Sequence, residues 1–167
     1  MRYAPGRGLP PYAFLPGRDP HPTRDPAGHS YGRAEPPSSF WPSARWRENG
    51  EYLYGADLYN HGFLWEAHEA WEGQWHAAKR DPTQALYLQA LIQCAAAWLK
   101  IPMGQPRGLE RLASMALEKL VAVRSAGAPA YMGLTLDPFC AAVRAFAESQ
   151  PTALAGYPLL HLEDGSR

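Results

Sequence analysis

The stretch QALYLQALIQCAAAWLK, Gln84 to Lys100, is apolar on nearly every side when wound at about 3.6 residues per turn. A helix of this kind must be covered by other elements, so it predicts a buried centre rather than a surface element. Its limits are written beside it. Asp81-Pro82 reads as an N-cap acid followed by proline at the first helical position, and Pro102, Gly104 and Pro106 break the run.

Working outward, the neighbouring segments repeat the helical period. Trp46, Leu53, Ala56 and Tyr59 recur at spacings that put them on one face of a first helix, and Asn60 and Gly62 supply its stop. A second helix is predicted from Phe63 to Ala78. Leu109, Leu112, Ala116, Leu120 and Val123 mark a fourth. Asp137-Pro138 reads as the cap of a fifth, with Phe139, Val143 and Phe146 on its inner face. No segment shows sustained two-residue alternation. The pattern predicts an all-α protein, a compact bundle of about five helices.

Composition changes near residue 45. Ten of the 17 prolines precede it, in phrases such as Pro10-Pro11, Asp25-Pro26 and Pro36-Pro37. Proline lacks a backbone donor and pushes the preceding residue out of the helical region, so this arm is not helical. Tyr3, Tyr12, Phe14, Leu15, Tyr31, Phe40 and Trp41 give it apolar anchors that disordered segments lack. It reads as an extended strap over residues 1–45, laid across a helical domain at 46–150. A weakly patterned tail follows at 151–167.

Sixteen basic and sixteen acidic residues give a formal net charge of zero, which offers no reason to expect nucleic acid or a membrane surface as a partner. No continuous apolar segment resembles a signal peptide or a spanning helix. Two widely spaced cysteines, Cys94 and Cys140, suit a reducing cytoplasm better than a disulfide framework. The partners left open are a small-molecule ligand and a second copy of the chain.

Chemistry concentrates in HGFLWEAHEAWEGQWHAA, His61 to Ala78. At about 100° per residue, His61, Trp65, His68, Glu72 and His76 share one stripe, while Glu69 turns about 100° away from His68 and Glu66 further still. His68 and Glu72, four apart, can share one divalent ion, or the carboxylate can orient the imidazole. His-Glu-x-x-His is approached by His68-Glu69-Ala70-Trp71-Glu72 but not met, since the second ligand position holds a glutamate. Further ligands could come from His61, or from His21 and His29 of the strap segment PHPTRDPAGHS. Gln89 and Gln93 share a stripe on the next helix, where an inward glutamine needs a partner. The expected site is a polar pocket of Glu66, His68, Glu72, Gln89 and Gln93. Its metal ligands would come from His68, Glu72, His61, His21 and His29, with Glu69 as catalytic base. The chemistry of that set is metal-assisted hydrolysis with a divalent ion as cofactor. The competing expectation is that His68 and Glu72 form a structural hydrogen-bonded pair within a binding or scaffold module.

Gly55 to Trp75, with Leu91-Ile92-Gln93 and the alanine-rich run after it, resembles the prokaryotic family called "domain of unknown function 309". The likeness covers roughly residues 50 to 125. It implies a small all-helical fold and no established activity. Lys100 stands where the resemblance leads one to expect a histidine.

Overall fold

In the computed structural model the described residues are 2–34, 38–127 and 129–163. Pro36, Pro37, Met1 and the tail beyond Glu163 lie outside them. Among the described residues five α-helices follow one another: α1 (Gly50–Asn60), α2 (Leu64–Ala77), α3 (Pro82–Leu99), α4 (Pro106–Ser125) and α5 (Leu136–Glu148). The expected all-α bundle is present. Each helix packs on its neighbour in sequence, and α3 lies between α2 and α4. Tyr87, Leu88, Leu91, Cys94 and Trp98 of α3 are completely buried. None of the helices among the described residues is long and apolar enough to cross a membrane.

The helix limits follow from capping chemistry. Asp81 caps α3 as expected, its carboxylate accepting the Gln84 N–H at 3.1 Å. The first helix begins later than its apolar spacing suggests. Trp46 lies in a short 3-10 stretch, Ser43–Glu48, and Asn49 caps α1 by accepting the Tyr52 N–H. The fifth helix begins earlier. Thr135 occupies the cap position and Asp137 sits in the first turn, 3.1 Å from Arg124 of α4. Gly62, at φ +82°, makes the turn after α1.

A two-residue hairpin, β1 (Ala130–Tyr131) with β2 (Leu134–Thr135), is invisible as alternation because each strand is only two residues long. Its turn puts Met132 at φ +46° and Gly133 at φ +85°. Both central residues therefore adopt positive φ, the arrangement that suits a tight hairpin. The buried Tyr52 hydroxyl donates to the Met132 carbonyl at 2.9 Å, and Gly133 abuts the Trp46 ring.

Both chain ends are fastened to α1. The fully buried Asp57 accepts the N–H groups of Tyr3 and Ala4 at 2.7 and 2.8 Å. The Asn60 amide clamps the Leu160 backbone, donating to its carbonyl and accepting its N–H, each at 2.8 Å. Tyr3 bridges the two ends, accepting the Leu162 N–H through its hydroxyl at 2.9 Å.

Candidate functional site

α2 presents two chemically distinct faces beside the core-facing side of Leu64, Ala67 and Trp71. Toward solvent lie His68, Glu69 and Glu72, all half-buried, with one ligand atom from each within 4.8 Å of the others. This is the one group of three such side chains among the described residues, and it could hold a metal ion. The His68 Nδ1 atom stands 3.2 Å from Glu69 Oε1. The helical wheel alone turns Glu69 away from His68. The flexible glutamate stem at the rim of the helix lets its carboxylate swing back across that angle. Glu69 is thus one of the three side chains whose possible ligand atoms converge.

The other expected ligands are elsewhere. His61 is exposed, and its Nδ1 is 2.7 Å from the Asp57 carbonyl, bonded to the end of its own helix turn. His21 packs as an aromatic ring, 5.2 Å from Phe14 and 5.3 Å from Trp65 between ring centres. His29 binds Glu66, with Nε2 to Oε1 at 3.1 Å. The wheel points Glu66 toward solvent, yet its side chain is only 6% exposed. The strap covers it, and the Phe14 N–H donates to the same oxygen at 2.9 Å.

Among the described residues, no hydrogen bond joins Gln89 or Gln93 of α3 to His68 or Glu72. The Gln93 side-chain oxygen is buried with no hydrogen-bond partner, and Gln89 is half-buried. Gln84, one turn into α3, instead donates to the Trp41 carbonyl at 2.9 Å and ties down the end of the strap. Lys100 lays its methylene stem along Gly108.

Three polar residues with clear structural work carried no signal as site candidates. Asp57 is a lone acid inside an apolar helix face, and that isolation was the available clue. Asn49 donates to Gln74 Oε1 at 2.8 Å while capping α1. Ser30 bonds His29, with Oγ to Nδ1 at 2.8 Å.

Around these groups the core is rich in buried phenols. Tyr52 bonds Tyr87 through their hydroxyls at 2.8 Å, and Trp98 donates to the Tyr59 hydroxyl at 2.6 Å. Burial pushes the pKa of Tyr52, Tyr59 and Tyr87 above the ordinary range, and burial does the same to the Cys94 thiol. Both cysteines are free.

No curated protein and no solved structure matches the chain. Residues 52–112, which include α2, the His68 group and all of α3, match the model of the family described as "Domain of unknown function (DUF309)".

Proposed function

We propose that His68, Glu69 and Glu72 bind a divalent metal ion and that the bound ion serves hydrolysis of a small-molecule ligand at the open face of α2. The observation that carries this reading is the convergence of one nitrogen and two carboxylate ligand atoms within 4.8 Å. One imidazole and two carboxylates suit zinc, manganese or ferrous iron better than calcium, which takes oxygen ligands throughout. Three protein ligands leave coordination positions open, as catalytic sites do. Side-chain exposures of 29% for His68 and 36% for Glu69 give water and ligand a route to them. A bound ion there would supply Lewis acidity and a water made acidic near neutral pH. Two unpaired thiols favour a cytoplasmic setting for this chemistry.

The test is elemental analysis of protein purified without chelator or affinity metal, beside His68→Ala. Near-stoichiometric metal in the wild type that disappears in the variant supports the site. Metal-free wild type that takes up neither zinc nor manganese on titration overturns it.

A second reading has its own observation. Asp57 and Glu66 both receive backbone N–H groups from the proline-rich strap. The α1–α2 surface therefore works as a peptide-receiving surface, filled in cis by the strap. In that reading the chain is a binding module, and the strap of a second copy is the partner to test by measuring its mass in solution.

A further inference from the structure

The strap segment that carries PHPTRDPAGHS is built as a rigid loop. Asp25, Gly28 and Ser30 donate their N–H groups to His21, Asp25 and Pro22 carbonyls at 3.1, 2.8 and 2.9 Å. Gly28 is enclosed so tightly that a Cβ there would stand 2.3 Å from the His21 carbonyl oxygen. The loop ends on a hydrogen-bonded relay. Ser30 Oγ lies 2.8 Å from His29 Nδ1, and His29 Nε2 lies 3.1 Å from Glu66 Oε1. A carboxylate only accepts, so Nε2 must donate to Glu66. In the neutral imidazole this leaves Nδ1 as the acceptor facing the serine hydroxyl. Tyr12 fixes the ring from one side, edge-on at 4.8 Å. The His29 and Glu66 side chains are each only 6% exposed, while Ser30 is half-buried at the surface.

We propose that Ser30 is a reactive acyl-acceptor hydroxyl, with His29 as its general base and Glu66 as the positioning residue, and that it reacts with carboxylic esters. The order hydroxyl, imidazole, buried carboxylate is the one that activates serine in acyl transfer, recognised by geometry rather than by sequence position. Ser30 Oγ forms a bond to the ester carbonyl carbon as its proton passes to His29 Nδ1. The tetrahedral adduct then breaks its bond to the alcohol oxygen, which leaves with that proton. The products are the free alcohol and acyl-Ser30, and water returns serine and the carboxylic acid. This relay is independent of the metal group, because Glu66 and His68 are about 160° apart around α2.

The magnitude follows from what the loop supplies. General-base assistance is worth about 10²- to 10⁴-fold. The nearest backbone donors, Ser30 N–H and Tyr31 N–H, are already spent on Pro22 and Gly28. A missing oxyanion donor costs about 10²- to 10³-fold. The unfolded chain lacks both the base and an oxyanion donor, so general-base assistance alone sets the advantage, about 10²-fold at its lower end, enough for acylation and too little for rapid turnover.

The probe is 4-nitrophenyl acetate on the full-length protein in EDTA, so that no metal at His68 contributes, with acetylation sites mapped by mass spectrometry. Ser30 should be acetylated about 10²-fold faster than in the urea-unfolded chain. Glu66→Gln should remove that advantage while trypsin resistance at Arg18 and Arg24 shows the strap still docked. Ser30→Cys should be alkylated by iodoacetamide at position 30 at least tenfold faster than at Cys140, a half-buried thiol that burial makes less acidic. Acetylation of Ser30 at the unfolded rate overturns the assignment. So does an unchanged rate in docked Glu66→Gln, or alkylation of Ser30→Cys at position 30 no faster than at Cys140.

Discussion

Glu66 Oε1 on α2 lies 3.1 Å from His29 Nε2 on the strap, and the same oxygen accepts the Phe14 N–H at 2.9 Å. One buried carboxylate thus holds two points of the strap fifteen residues apart in sequence. Glu66→Ala would leave both donors without an acceptor, at a cost of about 1–3 kcal/mol for each buried group. The strap can reduce that cost by lifting from α2 and exposing the donors to water. The expected outcome is tryptic cleavage at Arg18 and Arg24 at protease levels that spare the wild type. Glu66→Gln keeps an oxygen for Phe14 and should resist cleavage better.

Gly55 of α1 and Trp71 of α2 decide how closely those two helices approach. A Cβ on Gly55 would stand 2.2 Å from the Trp71 Nε1 atom, and both residues are buried. Two effects oppose each other in Gly55→Ala. Helix propensity favours alanine by about 1 kcal/mol, while forcing a methyl into a filled core costs about 1–3 kcal/mol or more. Trp71 is completely buried and bonded to the Tyr52 carbonyl, so its ring has little room to retreat. Overpacking should win, and urea unfolding should report a net loss of about 1–2 kcal/mol. A stabilised variant would show that α1 and α2 can separate without penalty.

Asn60 fastens the C-terminal tail through two hydrogen bonds to Leu160. Asn60→Ala removes both, each worth about 1 kcal/mol net. Tyr59 and Tyr157 still bond the same region, through Tyr59 to the Pro158 carbonyl and Tyr157 to the Tyr59 carbonyl. The tail should therefore loosen without leaving. Hydrogen exchange should accelerate at Leu160 and Leu162, with a stability loss of about 2 kcal/mol or less.

The helical framework was legible because period and capping agree in this chain. α3 announces itself by apolar residues on every side and by Asp81-Pro82, and α2 by its length and amphipathic stripe. The hairpin escaped because four paired residues cannot show a period. Glu66 was misplaced for a different reason. A helical wheel knows only its own helix, and what buries Glu66 comes from residues 14 and 29 of the strap. Asn60 likewise read as a helix stop, while its amide serves a partner a hundred residues away. The His68 group was half legible. Spacing paired His68 with Glu72, but the return of Glu69 depends on side-chain torsions that sequence spacing does not encode.

Alkaline stability follows from the buried phenols. Burial raises Tyr52, Tyr59 and Tyr87 above the ordinary tyrosine value of about 10. The folded chain therefore keeps these protons where the unfolded chain loses them. Above about pH 10 the unfolded state binds fewer protons, so stability falls as pH rises. The contribution is fully present below the unfolded value and is lost progressively toward the higher folded values. Melting temperature should be flat from pH 7 to 9 as far as these groups are concerned and drop steeply beyond about pH 10. Tyr52→Phe should flatten that drop while lowering stability at neutral pH, since it leaves the Met132 carbonyl without its hydroxyl donor.

Metal binding at His68, Glu69 and Glu72 would itself stabilise the fold, because the three ligand atoms converge only when α2 is wound. A ligand that binds only the native state adds about 2.7 kcal/mol when present at about 100 times its dissociation constant. Zinc or manganese titrated into metal-free wild type should therefore raise its melting temperature. Glu72→Ala removes one carboxylate from the half-buried rim of α2 without touching the core. It should melt within about 0.5 kcal/mol of metal-free wild type, as surface substitutions do, and lose the metal-dependent increment. If Glu72→Ala gains as much from the metal as the wild type, the ion binds elsewhere and the α2 group is an ion pair. If the variant is already destabilised without metal, the carboxylate's work is structural.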